Sequence, residues 1–330
     1  MANLKTNYMG LILKNPIIAS SSPLTANLDG LKKLEDAGAS AVVIKSIFQE
    51  QIDKDAISTM EMDDAFLAHA DAYGFLLGAS EDHFIDQYLT LVEDAKKSLS
   101  IPVIASLNGS GSGDWISEYA PRFASCGADA IELNHYVIGS NHKIDGKQIE
   151  KDCVKFAKLA RKEIKLPLSL KIGSRFSSPS NIMHQFDFLG LDGLVLFNKF
   201  YNPDIDIDTL EMTSGNPLSD ANDYYDTLRW VSLMSEELKL DLCANTGIHS
   251  SSTVIKMLLA GASCVEICSV LMKEGVEVIS TFLTEINEWM DKKGFNEIAD
   301  FKGKLAQEAM FDPTVWERTQ YVKSLHNKGK

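Results

Sequence analysis

The sequence predicts a (β/α)₈ barrel, and three observations lead to that prediction. Eight short apolar runs recur along the 330 residues, and amphipathic stretches separate most of them. Most of the runs are continuously apolar, as expected of parallel strands that are covered on both faces. Glycine-led turns precede several runs, and a glycine at that point ends one helix before the next strand begins. Eight repeats favour a closed barrel over an open doubly wound sheet, which would also carry a GxGxxG fingerprint after an early strand.

The elements follow from this alternation. The predicted strands are Ile17–Ser20, Ala41–Lys45, Val103–Leu107, Ala130–Asn134, Leu168–Ile172, Gly193–Asn198, Leu242–Asn245 and Cys264–Cys268. The predicted helices include Leu28–Ala37, Phe84–Ser98, Trp115–Ser125, Glu150–Lys165 and Asp223–Leu238. Residues 1–330 are predicted to form one domain. An insertion at 46–82 should lie over the active-site face, and the extension from Gly294 onward should pack on the outside.

Composition excludes several classes of function. The formal net charge of -14 argues against a nucleic-acid or anionic-membrane surface. The apolar N-terminal run is interrupted by Lys14 and Pro16, so it predicts neither a signal peptide nor a membrane span. The five cysteines form no CxxC pair, and the histidines show no metal-ligand spacing. We therefore expect a cytoplasmic protein with no metal site.

The residues at the C-terminal ends of the predicted strands indicate the ligand, since barrel enzymes place their chemistry there. Three of the eight strand ends carry a lysine, four carry an asparagine, and none carries a carboxylate at its tip. These residues are Lys45, Lys171, Lys199, Asn108, Asn134, Asn198 and Asn245. The set favours an anionic ligand with many amide-like edges over a carboxylate-pair hydrolase or a magnesium site.

Each group also has a simpler interpretation. A lysine at a strand end is usually a solvated surface charge, but Lys45 and Lys171 end buried strands, where a lysine is costly unless it is paired. Asn245-Thr246-Gly247 and Cys268-Ser269 follow strands seven and eight, where many barrels hold phosphate, although turn chemistry alone also explains them. His135 is a candidate acid or base with no visible partner.

Taken in their order along the chain, the residues at the strand ends resemble those of the dihydroorotate dehydrogenase family, particularly its soluble class 1 members. The resemblance rests on Asn15–Ser22, Ala41–Ser46, Ile131–Asn134, Leu168–Lys171, Asn245–Ile248, Lys273–Gly275 and Gly294–Leu305. It implies an FMN-binding barrel that passes a hydride from dihydroorotate to flavin N5 in pyrimidine biosynthesis. It also implies fumarate or another soluble electron acceptor, and a homodimer.

The resemblance assigns roles by position. Ser20, Ser21 and Lys45 would contact the flavin, and Lys171 would lie near its pyrimidine ring and stabilise developing negative charge. Asn108 joins this cofactor-binding group. The phosphate would be held by Thr246, Gly247, Cys268 and Ser269. The substrate would be held by Asn134 and Asn198.

The sequence departs from the family on the substrate side. Val137 stands where the family has a proton-accepting cysteine or serine, and Gly139 replaces a substrate-binding asparagine. The family's substrate loop is replaced by something near Asp71–Phe75, and its phosphate turn is half kept in Ala244–Gly247. Tyr136 is the candidate base in place of Val137, and the alternative interpretation is a ring that packs over the flavin or fills the pocket.

Three other functions stay open on the sequence alone. The first is an FMN oxidoreductase that acts on a different cyclic amide or enone, consistent with Val137 at the base position. The second is a Schiff-base lyase or aldolase with Lys171 or Lys45 as the nucleophile. The third is a flavin or phosphate binder without catalytic activity.

Overall fold

The computed structural model describes residues 2–48, 81–109, 114–200, 202–312 and 316. The strands are β1 (Thr6–Tyr8), β2 (Leu11–Leu13), β3 (Ile17–Ala19), β4 (Ala41–Val43), β5 (Ile47–Phe48), β6 (Val103–Gly109), β7 (Ala130–His135), β8 (Leu168–Ile172), β9 (Gly193–Leu196), β10 (Pro203–Asp206), β11 (Glu211–Ser214), β12 (Asp241–Ala244) and β13 (Cys264–Ile267). The helices are α1 (Leu28–Asp36), α2 (Glu81–Ser98), α3 (Asp114–Ser125), α4 (Gly146–Glu163), α5 (Pro179–Phe188), α6 (Tyr224–Met234), α7 (Ser251–Ala260), α8 (Ser269–Glu274) and α9 (Val278–Lys293).

Eight parallel strands close into a barrel. They pair in the order β3, β4, β6, β7, β8, β9, β12 and β13, and β13 pairs with β3 to complete the ring. The predicted (β/α)₈ barrel is therefore confirmed. Most strand and helix ends differ from the predicted ones by a few residues. The second barrel strand, for example, ends at Val43 rather than Lys45, because the Lys45 amide turns off the ladder and donates to the Thr25 carbonyl at 3.3 Å.

An antiparallel hairpin of β1 and β2 closes the N-terminal end of the barrel. Its Tyr8, Met9 and Leu13 are buried against an apolar layer inside the barrel. A side chain at Gly193 would lie 3.0 Å from the Tyr8 hydroxyl, so the hairpin fits closely against β9. The hairpin was not predicted from the sequence. It leaves the opposite rim, at the C-terminal strand ends, as the open end of the barrel.

The two segments outside the repeat are described in part. The chain after Gly294, as far as residue 312, packs on α7 and α9: Phe295 and Phe301 contact Trp289 of α9, and the Gly303 amide donates to the Leu258 carbonyl of α7. Of the insertion at 46–82, β5 pairs with the end of β6, which places its beginning at the C-terminal rim. Residues 49–80, including Asp71–Phe75, lie outside the described residues.

A second unpredicted hairpin, β10 and β11, follows β9 and extends from the surface. Its large apolar side chains are exposed, among them Ile205, Leu210 and Met212. Among the described residues, no helix combines the length and apolar character that a bilayer crossing requires.

Candidate active site at the C-terminal rim

The barrel interior consists of an apolar layer below a polar layer. The apolar layer takes one side chain or more from most strands: Ile18, Ala41, Val43, Ile104, Ala130, Val195, Cys243 and Cys264. Side chains two residues further along a strand face the same side. The next inward positions, toward the rim, are Ser20, Lys45, Ser106, Glu132, Asn245 and Glu266. The inward-facing side chains therefore change from apolar to polar between one inward position of a strand and the next.

Neighbouring strands bring three predicted site residues into one row. Asn108 of β6 is paired in register with Asn134 of β7, and Asn134 with Lys171 of β8. Residues in register on parallel strands face the same side of the sheet. Asn134 and Lys171 are both buried, and Asn108 is half-buried at the rim. The row thus presents two amides and one ammonium group along a single side of the opening.

Lys171 reaches across the barrel. Its Nζ donates to the Ser20 Oγ at 2.9 Å, and Ser20 directly follows β3. Strands β8 and β3 are four positions apart in a ring of eight, so they lie on opposite sides of the barrel. The structure therefore brings together Ser20 and Lys171, which are separated by 151 residues in the sequence.

Two carboxyl groups surround Lys171, and the strand-tip analysis missed both. The Lys171 Nζ lies 2.8 Å from Glu266 Oε2 and 3.7 Å from Glu132 Oε1. Ser20 Oγ donates to the same Glu266 oxygen at 2.9 Å. Both glutamates stand between two apolar residues in a buried strand, and a charged residue in such a position is the signal that could have found them.

The pairing fixes the charge of Lys171. Burial alone would lower the pKa of this amine, but Glu266 and then Glu132 outweigh burial and raise it above its ordinary value. The amine is therefore protonated. A nucleophilic lysine needs the neutral amine, so this environment opposes a Schiff-base role for Lys171.

A chain of hydroxyl groups connects the other half of the rim. Ser46 Oγ lies 3.0 Å from Ser21 Oγ and 2.7 Å from Ser106 Oγ. Asn134 Nδ2 donates to both Ser46 Oγ and Ser106 Oγ, at 3.1 and 3.2 Å. Lys45 is buried at the end of β4, next to Ser46 in the chain. The amide of Asn134 is thus fixed in orientation by groups from β6 and the segment after β4.

The turn after β12 carries backbone strain. Thr246 has a φ of 71°, which a β-branched residue rarely adopts. Its Oγ1 donates to the Phe197 carbonyl at 2.8 Å, and Asn245 Nδ2 donates to the same carbonyl at 3.0 Å. Gly247 follows with a φ of 76°, and a Cβ there would lie 2.2 Å from the Tyr224 amide. Such strain persists where surrounding contacts enforce it, and it is concentrated at ligand sites.

The neighbouring turn after β13 is hydrogen-bonded to the loop that contains Ser219. Ser269, the first residue of α8, accepts a hydrogen bond from the Ser219 amide at 2.9 Å. Ser219 Oγ lies 2.9 Å from His249 Nε2, and Lys273 Nζ donates to the Ser219 carbonyl at 2.8 Å. Cys268 is half-buried between Ile267 and Ser269. Ser219, His249 and Lys273 were not predicted from the sequence to be neighbours of this turn.

The three candidate residues that follow Asn134 have different surroundings. His135 is buried on the helix side of the barrel wall, where its ring lies 4.6 Å from that of Phe156 in α4. It therefore does not face the rim opening. Tyr136 is half-buried with its ring 4.8 Å from that of Phe200, and Val137 is 39% exposed. Tyr136 directly follows the end of β7.

The segment after β9 forms an aromatic group at the rim. Phe200 lies over Gly173, where a Cβ would be 2.8 Å from its ring, and the Arg175 guanidinium lies 4.4 Å from the ring centre. Asn198 is half-buried beside this group. Lys199 points elsewhere, because its Nζ pairs with Asp223 at 2.9 Å.

Comparison with known proteins decides the family. A model of the dihydroorotate dehydrogenase family matches residues 3–290. The chain belongs to the dihydroorotate dehydrogenase family. Like its relatives, it is a flavin-dependent oxidoreductase that acts on CH–CH bonds, and the resemblance drawn from the rim residues is confirmed.

Relatives within the dihydroorotate dehydrogenase family align over nearly their full length. The catalytic subunit of dihydroorotate dehydrogenase B (NAD(+)) from Thermoplasma acidophilum is 27% identical, over 92% of this chain and 99% of the relative. Its counterpart from Methanocaldococcus jannaschii is 26% identical, over 88% and 94%. Dihydroorotate dehydrogenase A (fumarate) from Lactococcus lactis is 23% identical, over 92% and 99%. Identities this low place the chain among the divergent members of the family.

Proposed function

We propose that this chain binds FMN at the C-terminal rim and oxidises dihydroorotate to orotate, the reaction named for its relatives. Family membership supports this assignment over the lyase, the non-catalytic binder and an oxidoreductase for another cyclic amide or enone. The observation that carries the site is the inward-facing row of Asn108, Asn134 and Lys171, opposite Ser20. FMN supplies an electron-accepting ring and a phosphate group.

The rim residues fit the ring. Lys171 uses two of its three N–H bonds on Glu266 and Ser20, at 2.8 and 2.9 Å, while Glu132 at 3.7 Å is beyond hydrogen-bonding distance. One donor of a buried ammonium group thus stays available for a carbonyl or ring nitrogen above it. Lys171 would hold the pyrimidine edge of the flavin, and Ser20, Ser21, Lys45 and Asn108 would hold the rest of the ring.

The turns after β12 and β13 fit the phosphate. The strained Thr246 and the adjacent Gly247 put backbone N–H groups at the rim, where barrels commonly bind phosphate. Cys268 and Ser269 on the neighbouring strand would complete this half of the site. Because Ser269 Oγ already accepts the Ser219 amide, its contribution would come from its N–H group or from the hydroxyl proton.

The substrate would lie on the side of Asn134 and Asn198. Tyr136 is our candidate for the group that removes the substrate proton, since it directly follows β7 at the C-terminal rim, two residues after Asn134, and Val137 has no proton-accepting atom. His135 is an unsuitable helper, because burial lowers its pKa to about 4 and its ring packs on Phe156 behind the barrel wall.

Anaerobic reduction of the bound flavin tests the function. The protein is loaded with FMN, and dihydroorotate is added while the visible spectrum is recorded. We expect the flavin absorbance to bleach. FMN-loaded protein that stays oxidised would reject dihydroorotate as the substrate, and protein that takes up no FMN would reject the cofactor as well.

The relatives differ in their electron acceptors, which their names give as NAD(+) or fumarate. A soluble acceptor, such as fumarate, is our proposal for this chain. Homodimer formation and a cytoplasmic location stay predictions.

A further inference from the structure

Two carboxyl groups and one ammonium group share the barrel interior below the rim. Lys171 is 6% exposed, Glu266 is 0% exposed and Glu132 is 1% exposed. If all three were ionised, one uncompensated negative charge would remain in a medium of low dielectric, at a cost of several kcal/mol. A single proton held between the two carboxyl groups makes the group neutral.

The environment shows which carboxyl group holds that proton. Burial, and then the charge of Glu266, raise the pKa of Glu132 well above its ordinary value. Burial would also raise the pKa of Glu266, but the charge of Lys171 at 2.8 Å and the hydrogen bond from Ser20 at 2.9 Å help to lower it below its ordinary value. The shared proton therefore resides on Glu132, and the ionised Glu266 is the counter-ion of Lys171.

The groups that face the pair from neighbouring elements set the rest of the charge. Among the described residues, the titratable groups that act on Glu132 or Glu266, apart from Lys171, are Tyr8 of the N-terminal hairpin, Tyr88 of α2, Cys243 of β12 and Cys264 of β13. Burial raises the pKa of all four, so each stays uncharged at neutral pH. Lys45 is a second buried lysine, at the end of β4. With the charge of the two lysines constant, the charge beneath the rim changes with the number of protons that Glu132 and Glu266 hold.

This arrangement limits what Lys171 can do for a ligand. While Glu266 is ionised, its charge at 2.8 Å largely cancels the ammonium charge for a ring bound above. New negative charge on that ring is compensated from below when Glu266 accepts a proton. Proton uptake at the pair would release the charge of Lys171 to the ring.

We propose that Glu132 and Glu266 form a proton-storing pair that holds one proton at rest and takes up a second when negative charge develops on the ring above Lys171. This inference rests on the proposed flavin site. The substrate's hydride carries both electrons to the ring, and one new O–H bond forms on Glu266 with a proton from solvent. No residue is oxidised or reduced.

Infrared difference spectroscopy tests the pair directly. FMN-loaded protein is reduced photochemically, and the reduced-minus-oxidised spectrum is recorded in water and in deuterium oxide. We expect one new carboxylic acid C=O band that shifts in deuterium oxide, together with the loss of one carboxylate band. The double variant Glu132→Gln/Glu266→Gln should lack both changes. Glu285→Gln is the matched control, because this carboxylate bonds Ser251 on the outside of the barrel, and it should retain them.

The wild-type protein gives a second measurement that does not depend on how the variants fold. For a two-electron couple, each proton taken up lowers the midpoint potential by about 30 mV per pH unit. We expect the midpoint potential to fall by about 60 mV per pH unit over the pH range in which the absorbance of the reduced flavin shows no proton at N1. The hydride accounts for one of the two protons, and the carboxyl pair accounts for the other.

Two results would overturn the inference: a wild-type difference spectrum without a carboxylic acid band although the flavin is reduced, or a band that persists in the double variant. A slope of about 30 mV per pH unit under those conditions would also contradict it. Protein that takes up no FMN would instead overturn the proposed function, and this inference with it.

Discussion

Lys171 Nζ and Glu266 Oε2 lie 2.8 Å apart inside the barrel, and their side chains are 6% and 0% exposed. The pair joins β8 to β13, and Ser20, which follows the neighbouring strand β3, bonds to both partners. A buried ion pair of this kind is costly to break, because removing one partner leaves the other charged and desolvated. The same contacts orient the ammonium group toward the rim, so stability and ligand binding depend on one cluster.

Replacing Lys171 should therefore destabilise the fold. We expect Lys171→Met to lower the free energy of unfolding by about 3–5 kcal/mol, because Glu266 loses its cation. Lys199→Met is the control: Lys199 pairs with Asp223 at 2.9 Å, but the two side chains are 25% and 38% exposed, and such pairs contribute at most about 1 kcal/mol. Urea unfolding measures both. Equal losses would show that Glu266 does not depend on Lys171.

The turn after β12 allows a matched test of backbone conformation. Gly247 and Gly294 have φ values of 76° and 75°, but only Gly247 has a backbone atom in the space that a Cβ would fill. Gly294→Ala should cost about 1–2 kcal/mol for the left-handed conformation alone. Gly247→Ala should cost clearly more and should also weaken FMN binding, because the turn must move away from Tyr224. Melting temperatures and FMN titration measure the two effects, and similar melting temperatures for both variants would contradict the close approach.

His135 predicts a pH dependence of stability. Burial lowers its pKa from 6.5 to about 4, so the unfolded chain binds the proton more tightly than the folded one. The free energy of unfolding therefore keeps its full value above pH 6.5. It decreases by about 3 kcal/mol in total as the pH falls toward 4.

The variant His135→Gln should reduce this loss, as measured by urea unfolding at several pH values. His184→Gln is the control, since His184 is 43% exposed and lies 3.7 Å from Glu237. If the pH dependence of His135→Gln matches that of the wild type, the histidine is already charged in the folded state or not buried.

Tyr136 can be tested as the proton acceptor. Tyr136→Phe keeps the ring that contacts Phe200 and removes only the hydroxyl group. If the hydroxyl removes the substrate proton, flavin reduction should slow by about 10²–10⁴-fold, the usual contribution of such a group. Val137→Ala should have little effect, because Val137 carries no proton-accepting atom. Stopped-flow reduction by dihydroorotate measures both rates, and an unchanged rate for Tyr136→Phe would leave the ring with a packing role.

The sequence predicted the barrel because its signal is repeated eight times, and errors at single strand ends do not change the pattern. The two hairpins were missed for a physical reason. The N-terminal hairpin has strands of only three residues, and the exposed strands of the second hairpin carry no buried apolar run. Neither produces the periodicity on which the analysis depended.

At the site, a rule based on strand tips does not distinguish which side of the strand each residue faces. That rule found Lys171 and Asn134, which face inward, but it also singled out His135, which faces the helices. It missed Glu132 and Glu266, which lie two residues before Asn134 and Cys268 on the same inward faces. Counting back by two from each tip would have found both carboxyl groups. Which of them pairs with Lys171 depends on the closure of the barrel, and a linear pattern does not contain that distance.

FMN titration of the purified protein tests the central claim most directly. With tight binding, quenching of flavin fluorescence should saturate at one FMN per chain, and Lys171→Met should bind it more weakly than Lys199→Met. Fluorescence that stays at the level of free FMN at every protein concentration would contradict the account, because the inward row at the rim would then hold no flavin.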